Sequence, residues 1–411
     1  MKHLIHYFIL SFLFFSCNKQ DDTLSSTEAF FKTYEIEDDS SYYTPLDVVQ
    51  KSDGDYLILA EKVDPDINYP LVQLILTDEE GDVKSSAILA ASELLACTKS
   101  ILTINDEYYL VSLLPTGSGS GLGTQIVKIA DDLSVTQTAS LTTSDFYYPL
   151  NASVDADGNI ALLTVDENHT KFSVIDVNGN LQVNTITYNI ATNVAFNLVD
   201  EIRMFLQRDE TKRQLPFMVG HMVGDYYYFN GYFNGELSTV FVDIALAGTT
   251  VSTTETNISM LQGYDDSENI NAIFPIDDNT FAVSFYNGDG TVFLHGLYTF
   301  DYQTNGTWTS VVNISNISAS ELVQFNSPKI KMIADKVIIG GSTFDGKIVL
   351  YGMNGEQINT RHYLGNGNQF KLANFTETND GGLLVLGELS FSSTIKRMVS
   401  FKLTQATVTS L

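Results

Sequence analysis

The sequence predicts an all-β fold made of repeated units. Short apolar strands recur from about Leu46 to the end of the chain, and polar turns rich in Asp, Asn and Gly separate them. Their first turns are spaced roughly 45 to 68 residues apart, and periods near 50 with about four strands each are typical of propeller blades. We therefore predict a seven-bladed β-propeller, with six or eight blades as alternative counts.

Each predicted repeat unit opens with an apolar strand and a tight turn. Asp-Gly and Asn-Gly pairs supply the positive φ angles that tight hairpins require. The first turns of the seven units contain Asp53-Gly54, Asn105-Asp106, Asp157-Gly158, Gly224-Asp225, Asp277-Asp278, Ala334-Asp335 and Asp380-Gly381. Runs such as Leu57-Ile58-Leu59 are apolar on both faces, as expected for strands packed between two neighbouring sheets.

Two features of the repeat leave alternatives open. Two stacked β-sandwiches would also show short strands and polar turns, although a ring removes more of the exposed strand edges. The interval between the third and fourth turns holds an insertion in which Leu198, Ile202, Phe205 and Leu206 recur at helical spacing. We expect a short helix or a long projecting loop over residues 194–213, with a degenerate strand pair as the alternative.

A ring needs a fourth strand for its last unit, whose third strand covers residues 398–403. Either residues 406–411 or the early segment 30–34 could supply it. We favour residues 30–34, because pairing the two ends of the chain locks the circle.

The N-terminus predicts an export signal of the lipoprotein type, with a plain secretory signal and an incidental cysteine as the alternative. Lys2 precedes an apolar run over residues 4–15, and Ser16 and Cys17 follow it. The run has the length of a signal-peptide core and is too short to span a bilayer. The segment resembles the relaxed lipoboxes of Gram-negative lipoproteins, which implies that Cys17 carries a covalent lipid anchor in the membrane.

The resemblance also implies the arrangement and location of the protein. Residues 1–16 would be the signal peptide, residues 17–29 a flexible tether and residues 30–411 the propeller. The acidic pair Asp21-Asp22 resembles the signal that sends such lipoproteins to the outer face of the outer membrane. The expected location is therefore the outer membrane, exposed at the cell surface.

Composition limits the partners. The chain has 50 acidic and 22 basic residues and a formal net charge of −28. Nucleic acid is excluded as an expected partner, because phosphate binding requires a Lys/Arg patch. If Cys17 is acylated, Cys97 has no cysteine partner within the chain, and its apolar neighbours predict a buried small side chain.

Cofactors are not expected, with calcium as the alternative. Oxygen-bearing side chains alternate over residues 155–159 and over residues 64–68, a spacing that suits a hard cation. Neither run completes an EF-hand loop, so we interpret both as Asx-rich turns. No catalytic residue and no metal ligand is assigned.

The repeats themselves resemble the divergent propeller lipoproteins that carry units of Asp-Gly-Gly followed by an apolar strand. Residues 379–387 are the cleanest copy. The resemblance spans nearly the whole mature chain, but its motif is turn chemistry and implies a fold without a function.

An aromatic cluster is the predicted ligand-binding surface. It comprises Tyr226, Tyr228, Tyr232 and Phe233. Exposed tyrosines stack on sugar rings and peptide side chains, but alternate residues of a strand face opposite ways, so half of the cluster must pack inward.

The leading functional hypothesis is a non-catalytic binding or scaffold module for an unidentified protein or glycan. A propeller-fold glycan hydrolase or lyase is the first alternative, and whether the protein is an enzyme stays open, because carboxylates gathered at a central channel are invisible in sequence. A structural subunit of an envelope complex is the second alternative.

Overall fold

The computed structural model describes most of the chain between Glu28 and Leu411. The described residues are 28–34, 42–63, 68–92, 94–114, 122–166, 169–189, 202, 205–207, 217–222, 224–233, 236–245, 250–251, 258–261, 269–275, 280–286, 292–301, 307–312, 329–354, 357–365, 369–391 and 396–411. The proposed signal peptide, Cys17 and most of the tether lie outside these residues. Among the described residues, no helix is both long and apolar enough to cross a bilayer.

The described residues are predominantly β-strand. The first half of the chain contains β1 (Phe30–Tyr34), β2 (Tyr42–Gln50), β3 (Tyr56–Val63), β4 (Leu71–Thr77), β5 (Val83–Ile88), β6 (Leu95–Cys97), β7 (Leu102–Ile104), β8 (Glu107–Leu114), β9 (Gly123–Ile129), β10 (Val135–Leu141), β11 (Pro149–Val154), β12 (Ile160–Val165), β13 (His169–Ile175) and β14 (Ile186–Asn189). The second half contains β15 (Val219–His221), β16 (Tyr226–Phe233), β17 (Glu236–Asp243), β18 (Thr250–Val251), β19 (Ile258–Leu261), β20 (Asn269–Pro275), β21 (Thr280–Tyr286), β22 (Val292–Asp301), β23 (Thr307–Val312), β24 (Lys329–Ile333), β25 (Lys336–Ser342), β26 (Ile348–Asn354), β27 (Gln357–Leu364), β28 (Gln369–Glu377), β29 (Leu383–Ser390) and β30 (Lys396–Leu403). A 3-10 helix covers Ser144–Phe146, and an α-helix covers Gln405–Ser410.

Hydrogen bonding groups the described strands into six sheets, one of nine strands, one of five and four of four, and we divide them into four-stranded antiparallel meanders. Meanders 1 to 7 are β2–β5, β7–β10, β11–β14, β15–β17 with β19, β20–β23, β24–β27, and β28–β30 with β1. Strand β6 pairs with β4 and β8 and so joins meanders 1 and 2 into one sheet. The predicted all-β class is confirmed.

The two ends of the chain share meander 7. Strand β1 pairs antiparallel with β30, with Phe31 opposite Phe401 and Tyr34 opposite Met398. Residues 405–410 form a helix instead of a strand, and Thr404 caps it by accepting a hydrogen bond from the backbone N–H of Thr407. The prediction that the early segment supplies the fourth strand is confirmed.

The tight turns have the predicted backbone geometry. Gly54, Gly158 and Gly381 have φ angles of +97°, +82° and +75°, a region in which side chains other than glycine are strained. The two-residue turn at Asn105 and Asp106 also has positive φ angles, of 51° and 61°. These local signals explain why the repeat can be read from the sequence.

The described meanders pack against their neighbours along the chain. Each contacts the next along the chain, and β2 of meander 1 contacts β28, β29 and β30 of meander 7. Separate apolar cores fill the spaces between neighbours: Leu59 and Leu110 belong to the core between meanders 1 and 2, and Ile58 and Leu386 to the core between meanders 7 and 1.

The insertion between meanders 3 and 4 is helical where the structure describes it. Ile202, Phe205 and Leu206 are helical, buried, and part of the core between these meanders. The predicted helix is therefore confirmed at these positions, but the described side chains pack inward and do not project.

The two ends of the strands form two different faces. In an antiparallel meander, the turn between strands one and two and the turn between strands three and four lie at the same end. We call this end the turn face; it carries the glycine turns at Gly54, Gly81, Gly158 and Gly381. The opposite end, which carries the turn at residues 343–347 and the connections between meanders, we call the loop face.

Candidate functional site on the inner strands

The first strands of most neighbouring meanders contact one another. Strand β2 contacts β28, β28 contacts β24, β24 contacts β20, and β11 contacts both β7 and β15. These contacts are the ones expected when the first strands of a propeller surround a common axis. We call β2, β7, β11, β15, β20, β24 and β28 the inner strands.

Asp47 links three meanders at this axis. Its Oδ1 accepts hydrogen bonds from its neighbour Val48 N at 2.8 Å and from Asn374 Nδ2 at 2.5 Å. Its Oδ2 accepts one from Ile101 N at 2.8 Å. Asp47 as a whole residue is 5% exposed. Its buried carboxylate is satisfied by donors from meanders 1, 7 and 2.

The same pattern of hydrogen bonds, from an Asx side chain to its own strand and to a neighbouring meander, recurs on another inner strand. Asn151 accepts a hydrogen bond from Ala152 N at 2.7 Å and donates one to the Phe217 carbonyl at 2.6 Å, which links meander 3 to meander 4. Asp47, Asn151 and Asn374 each directly follow a shift of register in an inner strand. A bulge of this kind interrupts the ladder, and a short Asx side chain fills the vacated hydrogen-bonding positions.

Two lysines lie beside this network on β24. Lys329 and Lys331 are alternate residues and therefore share one face of the strand with the buried Ile333, whereas the buried Ile330 lies on the other face. Both lysines are half-buried. The Nζ of Lys331 lies 5.7 Å from the centroid of the Phe375 ring.

The electrostatic setting of the two amines is unusual. Burial lowers the pKa of both amines below the ordinary lysine value, and Asp47 partly opposes this effect. Lys331 lowers the pKa of Lys329 further, because the two charges repel each other. Within the described part of the chain, no carboxylate lies within the 4 Å ion-pair distance of either amine.

The lysines lie toward the loop face. Lys329 is the first residue of β24, and the turn at Ala334 and Asp335 that ends this strand belongs to the turn face. A ligand that approached along the axis from the loop face would therefore meet Lys329 before Lys331.

The predicted aromatic surface is corrected in part. Tyr228 is 8% exposed and packs toward Phe241, so it is a core residue and not a binding residue. The reason is that neighbouring meanders cover both faces of β16. Tyr226 is half-buried, and burial together with Asp243 raises its pKa. The side chains of Tyr232 and Phe233 lie outside the described residues.

The Asp155 run forms a turn of the expected Asx type. Asp155 Oδ1 accepts from the backbone N–H groups of Asp157 and Asn159, and its Oδ2 accepts from the Tyr227 hydroxyl at 2.8 Å. Residues 64–67 of the other run lie outside the described residues. In the part of the chain that is described, no three His, Cys, Asp or Glu side chains are grouped to hold a metal ion.

The remaining cysteine is structural. Cys97 is 1% exposed, and its Sγ lies 3.9 Å from Glu61 Oε1. Its burial is as predicted. Cys17, the predicted lipidation site, lies outside the described residues.

Sequence reasoning missed the inner-strand network and both lysines. A signal for the network does exist: an Asx residue between apolar neighbours recurs as Leu46-Asp47-Val48, Leu150-Asn151-Ala152 and Ala373-Asn374-Phe375. A signal for the lysines is the alternation Lys329-Ile330-Lys331 in a chain that is poor in basic residues.

Comparisons with known proteins give likeness of fold alone. No protein-family model and no curated protein sequence matches the chain. An uncomplexed acylaminoacyl peptidase from Pyrococcus horikoshii superposes with a TM-score of 0.50 at 10% identity, covering 89% of this chain and 52% of the peptidase. The chain is all-β, and its structural neighbours are of propeller type.

Other solved structures are less similar. A virginiamycin B lyase from Staphylococcus aureus matches with a TM-score of 0.46 at 11% identity, over 92% of this chain and all of the lyase. Prolyl oligopeptidase B from Galerina marginata matches with a TM-score of 0.42 at 10% identity, over 85% of this chain and 47% of the oligopeptidase. The chain spans about half the length of the two peptidases.

Proposed function

We propose that this chain is a lipid-anchored outer-membrane protein whose residues 30–411 form a seven-bladed β-propeller that binds a protein or glycan without catalysis. The observation that supports the proposal is that successive four-stranded meanders contact one another and that the first also contacts the last. Ligands commonly bind in the concave mouth of such a ring.

The state of the inner-strand carboxylate favours binding over hydrolysis. A general acid or base must be free to exchange a proton with its substrate. Asp47 instead accepts three hydrogen bonds that hold neighbouring meanders together. Its role is therefore structural, and a glycan hydrolase or lyase remains the alternative function.

The entry point of the tether orients the ring. Phe30 lies opposite Lys402, near the end of β30, and its ring packs against Gly81 in a turn of the turn face. Residues 17–29 therefore join the ring at its turn face. An anchor on Cys17 would hold this face toward the membrane and leave the loop face open to ligands.

The anchor is tested by Cys17→Ser with Cys97→Ser as the matched control. We expect wild type and the Cys97 variant to incorporate an alkyne-tagged palmitate and to fractionate with the outer membrane. The Cys17 variant should incorporate none. Labelling that persists in the Cys17 variant would contradict the anchor.

The binding role is tested with soluble protein beginning at Leu24, probed on glycan and peptide arrays. A bulky maleimide reagent would be attached to Asp345→Cys on the loop face or to Glu80→Cys on the turn face, both of which are surface positions. We expect saturable binding that the loop-face adduct weakens and the turn-face adduct leaves unchanged. Absence of any saturable ligand would contradict the binding role.

A further inference from the structure

We propose that Lys329 and Lys331 form an oxyanion-binding site at the loop-face end of the axis, which recognises a carboxylate or phosphate group on the ligand. This inference rests on the proposed binding function and deepens it by naming the chemistry of the ligand.

The first argument is the juxtaposition of two like charges. Residues two apart on one face of a strand have their Cα atoms about 7 Å apart, so two protonated amines there repel each other. The protein nevertheless carries both in a chain of net charge −28 with only 22 basic residues. A bound anion would convert this repulsion into attraction.

The second argument is that the nearby carboxylate does not neutralise the pair. Asp47 acts on both amines electrostatically, but its oxygens accept hydrogen bonds from Val48, Ile101 and Asn374. Among the described residues, the structure shows no hydrogen-bond acceptor for either amine, and each amine offers up to three donors to a ligand.

The third argument is the shape of the surroundings. The Phe375 ring lies beside Lys331 at 5.7 Å and provides an apolar wall that excludes water from one side of the amine. A partly desolvated amine binds an oxyanion more strongly than an exposed one, because the local dielectric constant is lower.

The other charged groups near β24 leave this arrangement unchanged. Of the strands packed against it, β20 carries no titratable side chain. Strand β25 carries Lys336, which donates to the Thr409 carbonyl. Strand β28 carries Lys371 and Glu377, and both are exposed. Of the charged residues that the structure describes, the two lysines and Asp47 therefore set the charge of the site.

The test uses glucuronate, citrate and inorganic phosphate as probes in titration calorimetry, at ionic strength matched with sodium chloride. The double variant Lys329→Gln/Lys331→Gln is compared with wild type. Lys84→Gln/Lys128→Gln is the control, because it removes two ion-paired lysines at the surface and changes the net charge equally. We expect at least one probe to bind wild type and the control equally.

The double variant should bind that probe about tenfold more weakly or worse, as expected from the loss of charge-assisted hydrogen bonds. A carboxylate preference would indicate an acidic sugar or peptide, and a phosphate preference a phosphorylated ligand. Equal binding by the double variant, or no probe binding to folded wild type, would overturn the inference.

Amine footprinting on wild-type protein covers the case in which the double variant fails to fold. A bound oxyanion should protect Lys329 and Lys331 from acetylation and leave Lys84 reactive, and equal reactivity with and without the probe would contradict the site. An array ligand that is uncharged and insensitive to both lysine substitutions would overturn this inference but leave the binding function intact. Oxyanion binding without any array ligand would leave this inference intact and contradict the proposed binding of a protein or glycan.

Discussion

The Nδ2 atom of Asn374 donates a 2.5 Å hydrogen bond to the Oδ1 atom of Asp47, across a separation of 327 residues in the chain. The bond joins the last meander to the first at the axis. The turns of the same two meanders are joined as well, because Asn379 N donates to Gln50 Oε1 at 2.6 Å. Together with the pairing of β1 and β30, these contacts join the two ends of the chain.

Replacing Asn374 by alanine should destabilise this junction. The substitution removes one donor from a buried carboxylate and leaves the N–H of Phe375 without its side-chain acceptor. We expect a loss of about 1–3 kcal/mol in the free energy of unfolding, measured by urea denaturation. Asn68→Ala, at an exposed position, is the control and should change it by less than about 0.5 kcal/mol. Equal effects of the two substitutions would contradict a joining role.

Tyr34 should make the stability of the end-to-end sheet sensitive to alkaline pH. Its hydroxyl forms a 2.7 Å hydrogen bond with Ser400 Oγ, and burial raises its pKa to about 12. Between the unfolded and folded pKa values the folded protein keeps a proton that the unfolded chain has lost. Stability from this group is therefore complete below about pH 10 and falls as the pH rises above it.

Tyr34→Phe isolates this effect. Near pH 9 the variant should be less stable than wild type by about 1 kcal/mol, the typical contribution of one hydrogen bond. Near pH 11 wild type should have lost about 1 kcal/mol relative to the variant, because only wild type loses stability through this group. The difference between the two proteins should therefore disappear or change sign. Urea denaturation at both pH values measures the difference in free energy of unfolding between wild type and the variant. A difference that does not change with pH would show that Tyr34 does not titrate as proposed.

Gly340 should be required for close packing between meanders 6 and 7. An added Cβ atom would lie 2.8 Å from Leu372 Cδ2 and from Phe375 Cε1. Gly340→Ala should therefore lower the free energy of unfolding by about 1–3 kcal/mol, as expected for overpacking. The Leu372→Ala background removes one of these two clashes and leaves the one with Phe375, so the same substitution should have a smaller effect there. Additive effects in this double-mutant cycle would contradict the contact.

Lys331→Met should stabilise the protein near neutral pH. Burial lowers the pKa of this amine, so the folded state is fully destabilised below the lowered pKa, and this destabilisation falls as the pH rises from there to the unfolded pKa. We expect a gain of about 1 kcal/mol near pH 7 that disappears above about pH 10.5, where the amine is neutral in both states. Lys128→Met, at an exposed ion pair, is the control. A loss of stability of similar size at both pH values would show that the amine is not electrostatically strained.

The repeat was predictable because its signals are local. Each tight turn requires positive φ at a position such as Gly54 or Gly381, and the residues that adopt it can be read without knowing any partner. The strand at Phe30–Tyr34 was predictable for a different reason: a ring needs one more strand at its last unit.

The site was not predictable because it depends on register between distant strands. Asp47 and Asn374 look like ordinary turn formers until the fold brings their bulges together. Tyr228 was predicted to lie at a binding surface but is buried. An aromatic run on a strand does not reveal whether a neighbouring sheet covers it.

The joining of the chain ends is tested most directly by hydrogen exchange of residues 30–34 in soluble protein that begins at Leu24. If β1 is the fourth strand of meander 7, peptides that cover it should exchange as slowly as those from β30, because both strands share one ladder. Exchange at the rate of an unstructured chain, with β30 still protected, would contradict a ring closed by its own ends.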